Sequence, residues 1–230
     1  MKTLTVILAL VTTVLAGCFG GDHDTTGESV NAPAPTAAPP PAPLAPTDVI
    51  HNGYRNGKKH GFWIEGVSAR YGGMVMESNY VDGKEQGPAV ARSPDGTVTE
   101  LNFVDGKAQG RAVMRWPDGW VQEFNNVDGK LHGLSVARWP DGRVQESNYV
   151  DGVLQGLRVT RWPDGRVREL NFVDGKAQGR AVMRFPDGRV GEVNLVDDKL
   201  HGLGVYRYPD GRVKHVTFRN GVEVHEEWVR

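Results

Sequence analysis

Two charged columns run through this chain at a fixed interval of 23 residues. Arg92, Arg115, Arg138, Arg161, Arg184 and Arg207 form one, and Glu77, Glu100, Glu123, Glu146, Glu169 and Glu192 form the other. A guanidinium beside a carboxylate can simply hold it as an ion pair. With shifted pKa values in a cleft, the same pair can move protons or stabilise a developing oxyanion. Catalysis needs one privileged copy, so six equal copies favour ladders that brace a sheet. His60, His132 and His201 share one slot but lie several repeats apart, too far to converge on a metal ion. The aspartates at 95, 118, 141, 164, 187 and 210 each stand between Pro and Gly, as turn residues do, and no calcium-loop spacing is present. No nucleophile–base set, phosphate-binding loop or dinucleotide fingerprint occurs. The expectation is a non-enzyme with no metal and no cofactor.

What remains is binding chemistry. Trp116, Trp139, Trp162, Phe185 and Tyr208 occupy one slot of the repeat, followed four residues later by Trp120, Arg143, Arg166, Arg189 and Arg212. Phe103, Tyr149, Phe172 and Phe218 fill a second aromatic slot. Successive rings would stand roughly 10 Å apart along a sheet with two strands per repeat. Trp139 with Arg143 and Trp162 with Arg166 would form cross-strand cation–π pairs. Such a row suits a protein surface, an extended peptide or a glycan, and it also serves as core for a single-layer sheet.

The elements that position these residues follow from the turns. Pro-Asp-Gly occurs six times from Pro94 to Gly211, always 23 residues apart. Pro presets φ, Asp suits the next position and Gly accepts positive φ, which together make a three-residue hairpin loop. A second turn, Asp128-Gly129-Lys130 in the reference copy, closes the other end. Each repeat thus reads as two strands and two tight turns, with no room for a helix. Pairing Trp116 with Trp120 sets Met114 against Gln122 and Val113 against Glu123. One face then carries Val113, Arg115, Val121 and Glu123, with Arg115 diagonal to Glu123, and the other carries the rings. The expectation is an all-β, single elongated and twisted antiparallel meander of about 14 to 16 strands. Asp198 replaces the usual glycine, which predicts a looser turn there. Leu101–Arg115 is identical to Leu170–Arg184, three repeats later, a mark of block duplication.

The N-terminal quarter differs in composition. Residues 1–17 carry one lysine and a short apolar stretch, Leu4 to Leu15, as a secretion signal does. Leu15-Ala16-Gly17-Cys18 resembles the lipobox of bacterial lipoproteins, and the resemblance implies cleavage before Cys18 and its lipidation. Phe19 in place of Asp implies the outer rather than the inner membrane of a Gram-negative envelope. Residues 18–47 hold seven of the 14 prolines and too little apolar surface to offset chain entropy, and read as a tether. Residues 48–230 are the repeat domain, about seven repeats with irregular capping ends. Beyond Asp48 the chain holds 26 basic and 24 acidic residues, the totals of 27 and 28 less Lys2 and Asp22, Asp24, Glu28 and Asp48. That near-neutral balance excludes a nucleic-acid footprint.

Asn102-Phe103-Val104-Asp105-Gly106-Lys107-Ala108-Gln109-Gly110 and Trp116-Pro117-Asp118-Gly119, recurring from Asn56 to Gly221, resemble MORN repeats, more closely their bacterial variant. The resemblance implies a twisted meander used for protein or membrane association and implies no chemistry. The leading functional expectation is a lipid-anchored scaffold that binds an envelope protein. Alternatives are a glycan or peptidoglycan binder using the aromatic row, and an envelope immunity lipoprotein, since some members of the variant are antitoxins.

Overall fold

The computed structural model describes residues 53–66 and 74–229. The signal at 1–17, Cys18 and the tether to 47 lie outside the described residues, as does Tyr71-Gly72-Gly73 in the N-terminal cap. Every described element is a strand. Twenty-two of them join in one antiparallel sheet whose consecutive strands pair, so the all-β meander holds. The chain divides into two compact units, one through Val121 with Asn125–Lys130, the other Gln122–Phe124 with Leu131 onward.

Both turns form as their residues demand. At Trp139-Pro140-Asp141-Gly142, the Gly142 N–H donates to Trp139 O at 2.9 Å and the Trp139 N–H to Arg143 O at 2.9 Å, with Gly142 at φ +83°. This is a type I turn followed by a left-handed bulge residue. The opposite turns place both central residues at positive φ, as in Asp151 (50°) and Gly152 (85°), the type I′ geometry that matches strand twist. Asp198 keeps that geometry at φ 67°: its N–H reaches Ala177 O at 3.1 Å and its carboxylate accepts the Ala177 N–H at 2.7 Å. The turn is therefore as tied as its neighbours, because Asp tolerates the left-handed region and supplies an acceptor that Gly lacks.

The hairpin register agrees with the expected one. Between strands Gly133–Arg138 and Val144–Val150, Val136 faces Glu146 and Ala137 faces Gln145, the slots of Val113/Glu123 and Met114/Gln122 one repeat on. Two expectations are corrected. Each repeat has three strands, since the run after the Asp-Gly turn breaks in two: Lys107–Ala108 and Gly110–Arg115. Gly110 sits at φ +79° and the Gln109 N–H donates to Asn102 O at 2.8 Å, so the strand bends there. Phe103 pairs with Gly87 on one side and Ala108 on the other. The bend leaves the residue before it buried: Ala108, Leu154 and Ala177 are at most 9% exposed. In the second unit Leu154, Phe172, Ala177, Ala181 and Leu195 form a core cluster, with Tyr149 and Leu170 packed on it.

The second correction concerns the ladders. Arg115 meets Glu100 at 2.9 Å, Arg92 meets Glu77 at 3.3 Å, Arg161 meets Glu146 at 2.9 Å and Arg207 meets Glu192 at 3.0 Å. Each arginine reaches the glutamate of the preceding strand rather than the hairpin partner. Register makes both diagonals available, and the right-handed twist of a sheet makes them unequal. Repetition of one geometry in four copies identifies these pairs as bracing.

Candidate functional site

The Pro-Asp-Gly turns place the aromatic slot and the slot four residues on directly opposite each other. Arg143 lies over the Trp139 ring at 4.1 Å, Arg166 over Trp162 at 5.4 Å, Arg189 over Phe185 at 4.7 Å and Arg212 over Tyr208 at 5.5 Å. The turn aspartate holds the side chains of three of these arginines in place. Asp164, Asp187 and Asp210 accept the backbone N–H of Arg166, Arg189 and Arg212 with one oxygen, at 2.9 to 3.0 Å. Their second oxygen takes the Nε–H at 2.6 to 2.7 Å. The backbone N–H of Arg189, seconded by its guanidinium, keeps the Asp187 carboxyl below the usual carboxylate range, and Arg212 does the same for Asp210. In the copy where Trp120 replaces arginine, its ring stacks on Trp116 at 3.8 Å and 10°.

All five rings of this slot are half-buried, with guanidinium or ring on one face. In the second aromatic slot Phe103 and Phe172 are 2% and 7% exposed and belong to the core, while Tyr149, packed against the core cluster, and Phe218 are partly buried. Residues 222–228 form the last described strand, at the C-terminal capping end of the array, paired with Val213–Arg219 through a bulge. Its Trp228 extends the row: Arg212 lies 5.1 Å from that ring, and Tyr208 and Trp228 are 5.3 Å apart. Sequence reasoning missed Trp228, although an aromatic three residues from the chain end in a strand-like run was a visible signal.

Two further charged clusters involve rings. In the first unit Lys59 Nζ lies 4.8 Å from both the Trp63 and Tyr80 rings and is paired with Glu65. The Tyr80 hydroxyl donates to Glu65 at 3.0 Å and stands 3.4 Å from buried Glu85. Burial raises the Glu85 carboxyl above its ordinary range, and the Tyr80 phenol is raised likewise by burial and then by the charges of Glu85 and Glu65. In the second unit Arg158 lies over Phe172 at 4.5 Å and Arg168 over Trp162 at 5.3 Å. Sequence reasoning singled out neither.

Among the described residues no group of three or more His, Cys, Asp or Glu is placed to hold a metal ion. No helix among them is long and apolar enough to cross a membrane.

An open antiparallel sheet of 23-residue units, with turns at both ends of each, defines the class of protein: a β-repeat array. A family model for the MORN repeat matches residues 77–98, 102–121, 171–188 and 194–211. No curated protein matches this chain. Among solved structures, the TCP domain of SAS-4 (dCPAP) of Drosophila melanogaster, in complex with a proline-rich motif of Ana2, is 20% identical. It has a TM-score of 0.37 and covers 62% of this chain and 83% of that one. The G-box domain of the microcephaly protein CPAP is 18% identical with a TM-score of 0.36, covering 74% of this chain and 99% of that one.

Proposed function

We propose that this protein is a non-catalytic interaction module, lipid-anchored through Cys18 in a bacterial envelope, that binds a protein partner along its aromatic–arginine row. The observation that carries the reading is the row itself. Trp139, Trp162, Phe185 and Tyr208 are half-exposed at one repeat spacing, each with an arginine lying on it. Tryptophan, tyrosine and arginine are the residues that most often carry protein interfaces. Side chains already fixed by a turn lose little rotamer entropy when a partner docks. The guanidinium on one face of each ring takes up surface on which a sugar would stack, which favours a protein over a glycan. The MORN repeats support an interaction role, and the lipobox supports the anchor.

The experiment is in-cell photocrosslinking of the intact chain from a reactive residue at position 185. One captured protein, absent when Trp139→Ala and Trp162→Ala are combined, is the expected outcome. Capture unchanged by the double substitution would overturn the reading. Metabolic lipid labelling that persists in Cys18→Ala would overturn the anchor.

A further inference from the structure

The ring-bearing face of the sheet keeps small or apolar residues at one slot in repeat after repeat: Ala89, Ala112, Ser135, Ala181 and Gly204. In the copy between Ser135 and Ala181 that slot is Arg158. One slot away on the same face, where other copies carry Met76, Thr99, Gln122, Gln145, Gly191 and Lys214, stands Arg168. Register puts the two side by side: Arg158 pairs with Leu170 and Thr160 with Arg168, so the arginines are diagonal neighbours on one face. Arg143 lies on that face too, two residues along its strand from Gln145, which pairs with Thr160.

Three guanidiniums are thus gathered on one face, one of them in a slot where other copies carry alanine, serine or glycine. The Nε of Arg143 and the Nε of Arg168 are buried and meet no acceptor. The Arg158 guanidinium has neutral partners: its Nε donates to Ser147 Oγ at 3.2 Å, and it also hydrogen-bonds the Tyr149 side chain. Burial lowers the Arg168 pKa, and the charges that add to this are those of Arg158 and Arg143, with no carboxylate among them. Gathering like charges with orphaned donors costs stability unless an anion completes the site. The rings of Trp139, Phe172 and Trp162 hold the three guanidinium planes, which leaves their edges to present forked donors.

We propose that Arg143, Arg158 and Arg168 form a carboxylate-binding site for an extended acidic segment of the protein partner, with acidic residues two apart. Diagonal neighbours in an antiparallel pair stand about 7–8 Å apart. Side chains at positions i and i+2 of an extended chain project to one side about 6.5–7 Å apart, so two carboxylates meet Arg158 and Arg168 together. The segment lies across the face with its alternate side chains outward. This inference rests on the protein-binding reading above and deepens it.

The test uses the full chain and a synthetic peptide, acetyl-Ser-Thr-Glu-Val-Glu-Thr-Ser-amide, titrated calorimetrically at low salt. Controls are the same peptide with Gln for both Glu, one with the two Glu adjacent, and sodium phosphate. The variant is Arg158→Ala with Arg168→Thr, residues that the array already carries at those slots, with an unchanged circular dichroism spectrum as the check on folding. The alternating peptide should bind at least about tenfold tighter than either control peptide, and the variant should lose that factor, the order expected for two charge-assisted forks. Equal binding to the variant, or to the Gln peptide, overturns the proposal. Binding of phosphate without the peptide overturns the acidic-segment assignment in favour of a phosphate ligand. In the crosslinking experiment, capture that survives Arg158→Ala with Arg168→Thr but not the Trp139/Trp162 pair sinks this site and leaves the aromatic row standing. Loss of neither sinks both.

Discussion

Lys59 and the Arg143–Arg158–Arg168 group are both cations held against aromatic rings, and they differ in what faces them. Around Lys59 the chain supplies Trp63, Tyr80 and Glu65, with Glu85 alongside, so the cation is complete within its own unit. Around the three arginines it supplies Trp139, Trp162, Phe172 and the hydroxyls of Ser147 and Tyr149, with the Asp141 carboxylate taken up by the Arg143 backbone N–H. Among the described residues no carboxylate is among the charges acting on Arg168. The same sheet therefore carries one cluster that closes on itself and one left open. A closed cluster braces the fold, and an open one invites a ligand.

Removing the cations separates the two. Lys59→Met leaves Glu65 and buried Glu85 without their cation, so stability should fall by about 1–3 kcal/mol in urea denaturation. A loss below a few tenths of a kcal/mol would mean that the Lys59 cluster is not load-sharing. Arg158→Ala with Arg168→Thr should stay within about 1 kcal/mol of the parent, because lost ring contact is offset by relief of like charges. The parent should also gain thermal stability as salt rises, and the variant should lose most of that gain. With a formal net charge of −1 the chain has no global repulsion for salt to relieve, so the gain must be local.

The smallest effect is a pH slope at Glu85. Its folded-state pKa is raised by burial and by Glu65, so protonation favours the fold. The stability it contributes is present below the ordinary carboxyl pKa and is lost as pH rises through the raised value. Glu85→Gln should therefore unfold at a higher temperature than the parent at neutral pH and match it in acid. Parallel curves from pH 4 to 7 would show that Glu85 does not titrate with folding. Other copies hold Ala108, Leu131, Leu154 and Ala177 in that slot, so the polar choice belongs to the Lys59 cluster alone.

Much of this was legible beforehand. Pro-Asp-Gly at a constant interval fixed turn type, hairpin register and the sorting of faces, because each turn residue has a narrow conformational menu. The arginine-on-ring pairs followed from that register and are present at Trp139, Trp162, Phe185 and Tyr208. The bend at Gly110 was not recognised: Lys107 to Arg115 reads as one strand by residue type, and only the observed φ of +79° reveals the break. Arg158 was within reach, since subtracting one repeat from the next shows arginine where alanine recurs, whereas the slot of Arg168 varies from copy to copy.

The sequence by itself determined the period, the turns, the strands that pair and the residues that share a face. These are local properties, set by backbone preference within a few residues of each turn and copied every 23. Tertiary structure alone decided which diagonal each Arg115-type side chain takes, because twist accumulates over strands that are far apart in sequence. It also decided that Phe103 and Phe172 are core while Trp139 and Trp162 stay half-exposed. Both slots are aromatic and lie on one face, and only the strand bend, which sets Ala108 and Ala177 against Phe103 and Phe172, separates them.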